Sequence, residues 1–168
     1  HQPGLLHGFS DDYFDRVDAV EFAVRHDDGA NLRTLHEADI VLTGVSRTSK
    51  TPLSMYLAQR GYKCGNVPLV PGLDPPQELV ELDRRRVFAL TVDPGTLLSV
   101  RSARMRSMRG PSASGYTDPD QVELELDQAR KLFRAHRWKT IDVSGRAVEE
   151  NASRIIDAYT ASFDENAR

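Results

Sequence analysis

The sequence has one cysteine, Cys64, among its 168 residues. A lone thiol excludes an intrachain disulfide and a cysteine-rich metal site. No apolar run approaches the ~20 residues that a membrane-crossing helix needs, and no signal peptide is visible. These absences predict a reducing, cytoplasmic setting with no membrane partner. A surplus of positive charge is missing too: 22 Lys and Arg stand against 25 Asp and Glu, for a net charge of −3. That balance gives no support to nucleic-acid coating, which needs a broad positive field. Lysine is scarce, with four residues against 18 arginines. Arginine makes planar, two-pronged contacts with phosphate and carboxylate, although a compositional bias of the genome explains the count equally well. The single tryptophan, Trp138, makes no stacking platform for bases and reads as a packing residue, as does Cys64.

What is present suits one soluble α/β domain. Hydrophobic residues make up 39% and charged residues 28%, and a chain this long buries roughly 70% of its unfolded surface without help from disulfides or metal. Because the chain opens at His1 and not at Met, it reads as a processed chain or part of a longer one.

Turn signals and periodicity divide the chain into alternating elements. Residues 10–26 predict a helix capped by Ser10, with Tyr13, Val17, Val20 and Val24 on its apolar face. His26-Asp27-Asp28-Gly29 is a turn signal. Residues 38–43 (ADIVLT) read as a buried strand. A loop follows over 44–51, then a helix with Pro52 in its first turn and Gly61 beyond its end. Residues 63–70 hold a second strand candidate, interrupted by Pro68, and 71–76 (PGLDPP) form a rigid connection. Residues 86–92 predict a strand, 94–108 a helix, 110–115 a loop, 118–136 a long helix, 140–143 a strand and 146–163 a last helix. Strands alternating with helices imply a P-loop-like layered fold with a mainly parallel sheet.

The sharpest chemical signal is Gly44-Val45-Ser46-Arg47-Thr48-Ser49-Lys50-Thr51. It follows the phosphate-loop pattern of Gly, four residues, then Gly-Lys-Ser/Thr, except that Ser49 replaces the second glycine. Backbone N–H groups and the positive end of the following helix can cradle phosphate oxygens. Lys50 can place a point charge on the terminal phosphate, and Thr51 can offer a hydroxyl to Mg²⁺. Ser49 must then accept a glycine-like backbone conformation without steric relief. The plainer alternative is a polar strand-to-helix turn with a capping hydroxyl, which leaves Arg47 and Lys50 together unexplained.

Residues 38–72, ADIVLTGVSRTSKTPLSMYLAQRGYKCGNVPLVPG, strongly resemble the pyruvate, phosphate dikinase regulatory protein family, which includes the phosphoenolpyruvate synthase regulatory proteins. Further matching blocks are YFDRVDAVEFAVRHDDG at 13–29, VRSARM at 100–105 and IDVSGRAVEENASRII at 141–156. Family members carry an additional N-terminal region, so the resemblance makes this chain the C-terminal, phosphate-loop portion. It implies a bifunctional enzyme. One activity phosphorylates a Thr or Ser beside the catalytic His of the dikinase or synthase, with ADP as donor. The other removes that phosphate with inorganic phosphate and releases pyrophosphate. A homodimer is a further expectation from the family.

Within that frame Gly44 to Thr51 is the nucleotide loop, and Lys50, the loop amides and Arg47 are candidates to stabilise the transferred group. Asp27 or Asp28 is the candidate base for the acceptor hydroxyl, with His26 orienting it or contacting phosphate. Without the family, an Asp-Gly turn closing a helix explains the same residues. Arg101 and Arg104, three apart on a predicted helix, are expected to share a face and contact phosphate or the partner's phosphorylated loop. Arg84–Arg86 and Glu149–Glu150 read as solvated surface and a favourable helix start. Two other functions compete: a phosphate-loop small-molecule kinase or NTPase, and a catalytically incomplete nucleotide-binding module.

Overall fold

The computed structural model describes residues 3–108 and 116–164, with side chains over 12–107 and 116–164. The expected loop at 110–115 lies outside the described residues. Four parallel strands form one sheet: β1 (Ile40–Gly44), β2 (Cys64–Pro68), β3 (Val87–Thr91) and β4 (Lys139–Asp142), in the order β2-β1-β3-β4. The helices are α1 (Pro3–Arg25), α2 (Lys50–Gln59), the single turn α3 (Gln77–Val80), α4 (Pro94–Met108), α5 (Pro119–His136) and α6 (Val148–Asp164). Short 3₁₀ turns occupy Leu32–Glu37 and Arg84–Arg86.

The two inner strands, β1 and β3, are buried at all five of their positions. This is why they read as unbroken apolar runs, as a sheet covered on both faces requires. Pro68 ends β2, which lies at the sheet edge, where a missing N–H is tolerated. The β1-to-β2 and β3-to-β4 connections run in opposite directions across the sheet. With right-handed crossovers they place their helices on opposite faces. Accordingly α2 packs against α1 and α6, while α4 packs against α5. Helix α5 starts on Asp118, whose carboxylate accepts from the Asp120 N–H. It buries Val122, Leu126, Ala129 and Phe133 at alternating spacings of four, three and four.

Helix α1 differs from its sequence reading. It begins at Pro3, so position 10 lies within the helix and not at its start. Its buried seam is Ala19, Phe22 and Ala23; of the expected stripe, Val17 and Val20 are half-buried, with Val20 packed against that seam, while Tyr13 is 57% and Val24 61% exposed. The two alanines pack close to Ala58 of α2. That choice turns Tyr13 and Val24 toward solvent. The expected packing roles hold for Trp138 and Cys64, both buried.

Strand order reverses at β1. The loop after β1 therefore opens at the carboxyl ends of the strands beside a topological switch point, the crevice where open α/β sheets receive ligands.

Candidate active site

The loop between β1 and α2 has the backbone of a tight cradle. Gly44 has φ +147°, and a Cβ placed there would meet the Leu90 carbonyl oxygen at 2.7 Å. Only glycine lets β1 end this close to β3. Arg47 (φ 69°) and Ser49 (φ 67°, ψ 25°) both sit in the left-handed region. Ser49 thus adopts the conformation the pattern assigns to glycine, at a cost of about 1 kcal/mol. Its side chain makes no capping bond to the first turn of α2, so the hydroxyl-capped-turn alternative does not describe this junction. The buried Thr48 hydroxyl instead donates to the Val45 carbonyl at 2.9 Å and ties the loop to itself.

Lys50 opens α2 and is only 6% exposed. Its Nζ donates to the Val45 carbonyl at 2.7 Å and approaches Thr48 Oγ1 at 3.4 Å. Burial pushes the ammonium down from 10.5 to about 8; nearby Asp28 opposes this, while Arg101 and Arg47 add to it. The structure therefore keeps a poorly hydrated cation at the start of a helix, where an incoming anion gains the most from it.

Asp27 reaches this junction from the turn after α1. Its Oδ1 accepts from the Thr51 hydroxyl at 2.8 Å and from Asn66 Nδ2 at 2.7 Å. Asn66, buried in β2, holds the whole turn: its Oδ1 accepts from the Asp28 N–H and its backbone carbonyl from the Gly29 N–H, both at 2.9 Å. Its own N–H donates to the His26 carbonyl at 3.0 Å. Sequence reasoning missed Asn66. The available signal was one amide side chain in an otherwise small and apolar edge strand.

His26 belongs to this scaffold and not to the loop. Its ring is buried, stacked on Phe22 at 3.8 Å, with Nδ1 2.8 Å from the Phe22 carbonyl and Nε2 2.6 Å from Thr34 Oγ1. Both nitrogens are engaged away from Lys50 and Thr51.

Arg101 and Arg104 do not act as a pair. Arg101 is 1% exposed and forks onto Glu125 of α5, at 2.6 and 3.1 Å. It also donates to the Ser46 carbonyl and hydroxyl, both at 3.3 Å, and to the Tyr116 carbonyl at 3.3 Å. Its guanidinium is committed to holding the loop, while Arg104 is exposed on the same helix. Glu125 was also missed, although it stands beside the apolar stripe of α5.

Two clefts, each of about 460 Å³, meet at Asp28 and Ser46. The first is polar and lined by Asp27, Asp28, Arg47, Ser49, Lys50 and Thr51, with Val100 at its rim. It therefore gathers most of the expected site residues: two carboxylates, two cations and three hydroxyls around the start of α2. The second has an apolar wall from 68–71 and faces Gln121, Leu124, Glu125 and Gln128 of α5. Cys64 lies in neither, and burial pushes its thiol up to about 12, so it supplies no thiolate near neutral pH.

A four-stranded parallel sheet flanked by helices, with a strand–loop–helix unit beside its switch point, makes this a layered α/β protein. The chain belongs to the kinase/pyrophosphorylase family, whose model matches residues 1–156. It is 50% identical over 163 residues to a protein of Geotalea uraniireducens, covering 96% of this chain and 61% of that relative. A Geotalea daltonii protein is 51% identical over 159 residues, covering 94% and 59%. A Geobacter sulfurreducens protein is 49% identical over 156 residues, covering 92% and 58%. All three are provisionally named pyruvate, phosphate dikinase regulatory protein. The chain thus spans about six-tenths of the length of these relatives. The family resemblance drawn from residues 38–72 and their flanks is borne out. Among the described residues no helix is long and apolar enough to cross a membrane.

Proposed function

We propose that this chain carries the catalytic site of a bifunctional regulatory phosphotransferase acting on pyruvate, phosphate dikinase or phosphoenolpyruvate synthase. In one direction the β-phosphoryl group of ADP moves to a Ser or Thr hydroxyl of the target. The bond between Pβ and the α,β-bridging oxygen breaks, that oxygen leaving with AMP, the new bond from the hydroxyl oxygen to Pβ forms, and the hydroxyl proton goes to a base. In the other direction inorganic phosphate attacks the phosphorylated side chain, giving pyrophosphate and the free hydroxyl. The observation that carries this reading is the convergence of Lys50, Arg47, the loop amides, Thr51 and two carboxylates on one polar cleft. The names of the relatives, which read pyruvate, phosphate dikinase regulatory protein, support the dikinase as a target.

Phosphoryl transfer is mainly positioning and charge stabilisation. Lys50 and the amides after Ser46 hold the diphosphate, and Arg47, exposed at the cleft mouth, meets the oxygens of the group in flight. Asp28 is the better base of the two carboxylates. It is exposed and borders both clefts, whereas one oxygen of Asp27 already accepts two hydrogen bonds. Asp27 and the Thr51 hydroxyl form a hard-oxygen pair suited to Mg²⁺. When bound there, the cation neutralises phosphate charge.

The test is transfer from ADP to purified dikinase or synthase, followed by mass spectrometry of the acceptor and assay for AMP. The reverse reaction is run with inorganic phosphate. Expected products are a phosphorylated Thr or Ser with AMP, then pyrophosphate. Transfer to a small molecule alone would assign the chain to the small-molecule kinases instead, and orthophosphate as the sole reverse product would make it an ordinary phosphatase.

A further inference from the structure

A phosphotransferase whose substrate is a folded protein needs a surface outside its reaction cleft to hold that protein. We infer that the solvent face of α4 docks the acceptor protein, through an acidic surface beside its phosphorylatable hydroxyl, an assignment that rests on the phosphotransferase reading above. Three observations carry it.

The first is charge. Helix α4 contains Arg101, Arg104 and Arg106 and neither Asp nor Glu, in a chain whose net charge is −3. Arg101 is neutralised, buried against Glu125 at 2.6 Å. Arg104 and Arg106 are exposed, and among the described residues neither has a carboxylate partner. By contrast Arg16 of α1 and Lys131 of α5 each pair with an aspartate one turn away on the same helix. Sequence supplies α4 with no such internal partner, so its two free cations are left to something outside the chain.

The second is arrangement. Successive side chains of a helix turn by about 100°, which puts Val100, Ala103, Arg104, Arg106 and Ser107 on one side of α4. All five are exposed, whereas Leu97 and Arg101 on the opposite side are buried. Arg104 and Arg106 stand at the two edges of the exposed side, with the shorter Val100, Ala103 and Ser107 between them. A partner surface thus approaches the helix closely and meets a cation at either edge.

The third is position. Val100, 43% exposed, borders the polar cleft together with Asp28, Arg47 and Lys50. Arg104 follows it one turn further along the helix and lines neither cleft, so the charge of the donor is met elsewhere, at Lys50 and Arg47. The exposed side of α4 therefore begins where the candidate base meets the acceptor hydroxyl and leads away from it. A positive surface continuous with a reaction cleft speeds the encounter with a negatively charged partner and fixes its orientation. In the phosphate-dependent direction the acceptor also carries a phosphate of about −1.5 to −2 charge, so the same field serves both reactions.

The test follows both transfer reactions against the concentration of purified dikinase or synthase, with ADP affinity measured by calorimetry. Arg104→Glu and Arg106→Glu each reverse one cation, and Arg104→Lys keeps it. Lys131→Glu makes the same change of net charge on the exposed surface of α5. Each reversal on α4 is expected to raise the acceptor KM at least ~fivefold in both directions, with ADP affinity within about twofold of wild type. Arg104→Lys should restore the acceptor KM to within about twofold. The wild-type acceptor KM should rise between ~0.01 and ~0.15 M ionic strength, as the Debye length falls from about 30 to about 8 Å. Reversing both arginines together should flatten that rise. An acceptor KM unmoved by either reversal, or moved as far by Lys131→Glu, would overturn the inference and leave the phosphotransferase reading standing. A rise confined to the phosphate-dependent direction would make these arginines contacts for phosphate alone and overturn it equally. Wild-type protein that transfers nothing to either acceptor would remove both.

Discussion

Lys50 is the residue on which charge, burial and chemistry meet, and replacing it by methionine separates them. Its ammonium titrates near 8 where an exposed lysine titrates at 10.5. That shift corresponds to about 3 kcal/mol of folding stability withheld while the ammonium is charged. Below pH 8 the lysine is protonated in both states, so the folded protein bears the whole cost. Between pH 8 and 10.5 the folded state has released its proton and the unfolded chain has not, so stability from this residue rises with pH. Above 10.5 the cost is gone. Methionine removes the penalty at every pH but leaves the Val45 carbonyl without its 2.7 Å donor, a loss of about 1–3 kcal/mol. The net change at pH 7 is then between zero and a gain of about 2 kcal/mol. At about 2–4 °C per kcal/mol, melting rises by up to ~8 °C. Thermal unfolding of both proteins at pH 7 and pH 10 measures it, and any advantage of the variant should shrink at the higher pH. Pyrophosphate binding supplies the second readout. Wild-type affinity should fall as pH passes 8, and Lys50→Met should bind weakly with no such slope. A variant that melts more than ~6 °C below wild type at pH 7 would refute the argument, since Lys50 would then be holding the fold together. So would phosphoryl transfer at the wild-type rate.

Three further substitutions test the scaffold of the site. Gly44→Ala forces a methyl group to within 2.7 Å of the Leu90 carbonyl, so denaturant unfolding should show a loss of about 2–4 kcal/mol together with loss of anion binding. Asn66→Ala removes the clamp on Asp27 and Asp28; stability should fall by about 2–3 kcal/mol, and kcat should drop more than the KM for ADP changes. Glu125→Gln leaves the buried Arg101 charge without its counter-ion, for a loss of about 3–5 kcal/mol in chemical denaturation, whereas an exposed pair such as Arg16–Asp12 should cost under ~1 kcal/mol when broken.

The layered architecture was readable because its signals are local. Buried parallel strands read as apolar runs, and Pro52 and Gly61 mark the limits of α2, whereas the order of the strands has no such local signal. The loop was readable because Gly44, Lys50 and Thr51 lie within eight residues of one another. What escaped depends on residues distant in sequence. Asn66 meets Asp27 across 39 positions, and Glu125 meets Arg101 across 24. No periodicity reports such a pairing. Arg101 and Arg104 illustrate the same limit. Helical spacing puts them on one side of α4, but only packing against α5 decides that the first is swallowed and the second stays in water. Helix α1 misled for a related reason. Two alanines permit a closer approach to α2 than valines do, so the smaller stripe won the interior.

The amide of Asn66 can hold the Asp27 turn only while β2 keeps its alignment beside β1, with Leu42 opposite Asn66. Side chains alternate along a strand, so sliding β2 by a single position would point that amide through the sheet to the far side. A one-residue insertion at Gly61–Lys63, far from the cleft and harmless to any helix, would thus disconnect a carboxylate from a hydroxyl two layers away. The spacing of the reactive groups is inherited from the weave of the sheet, and the short link between α2 and β2 sets its gauge.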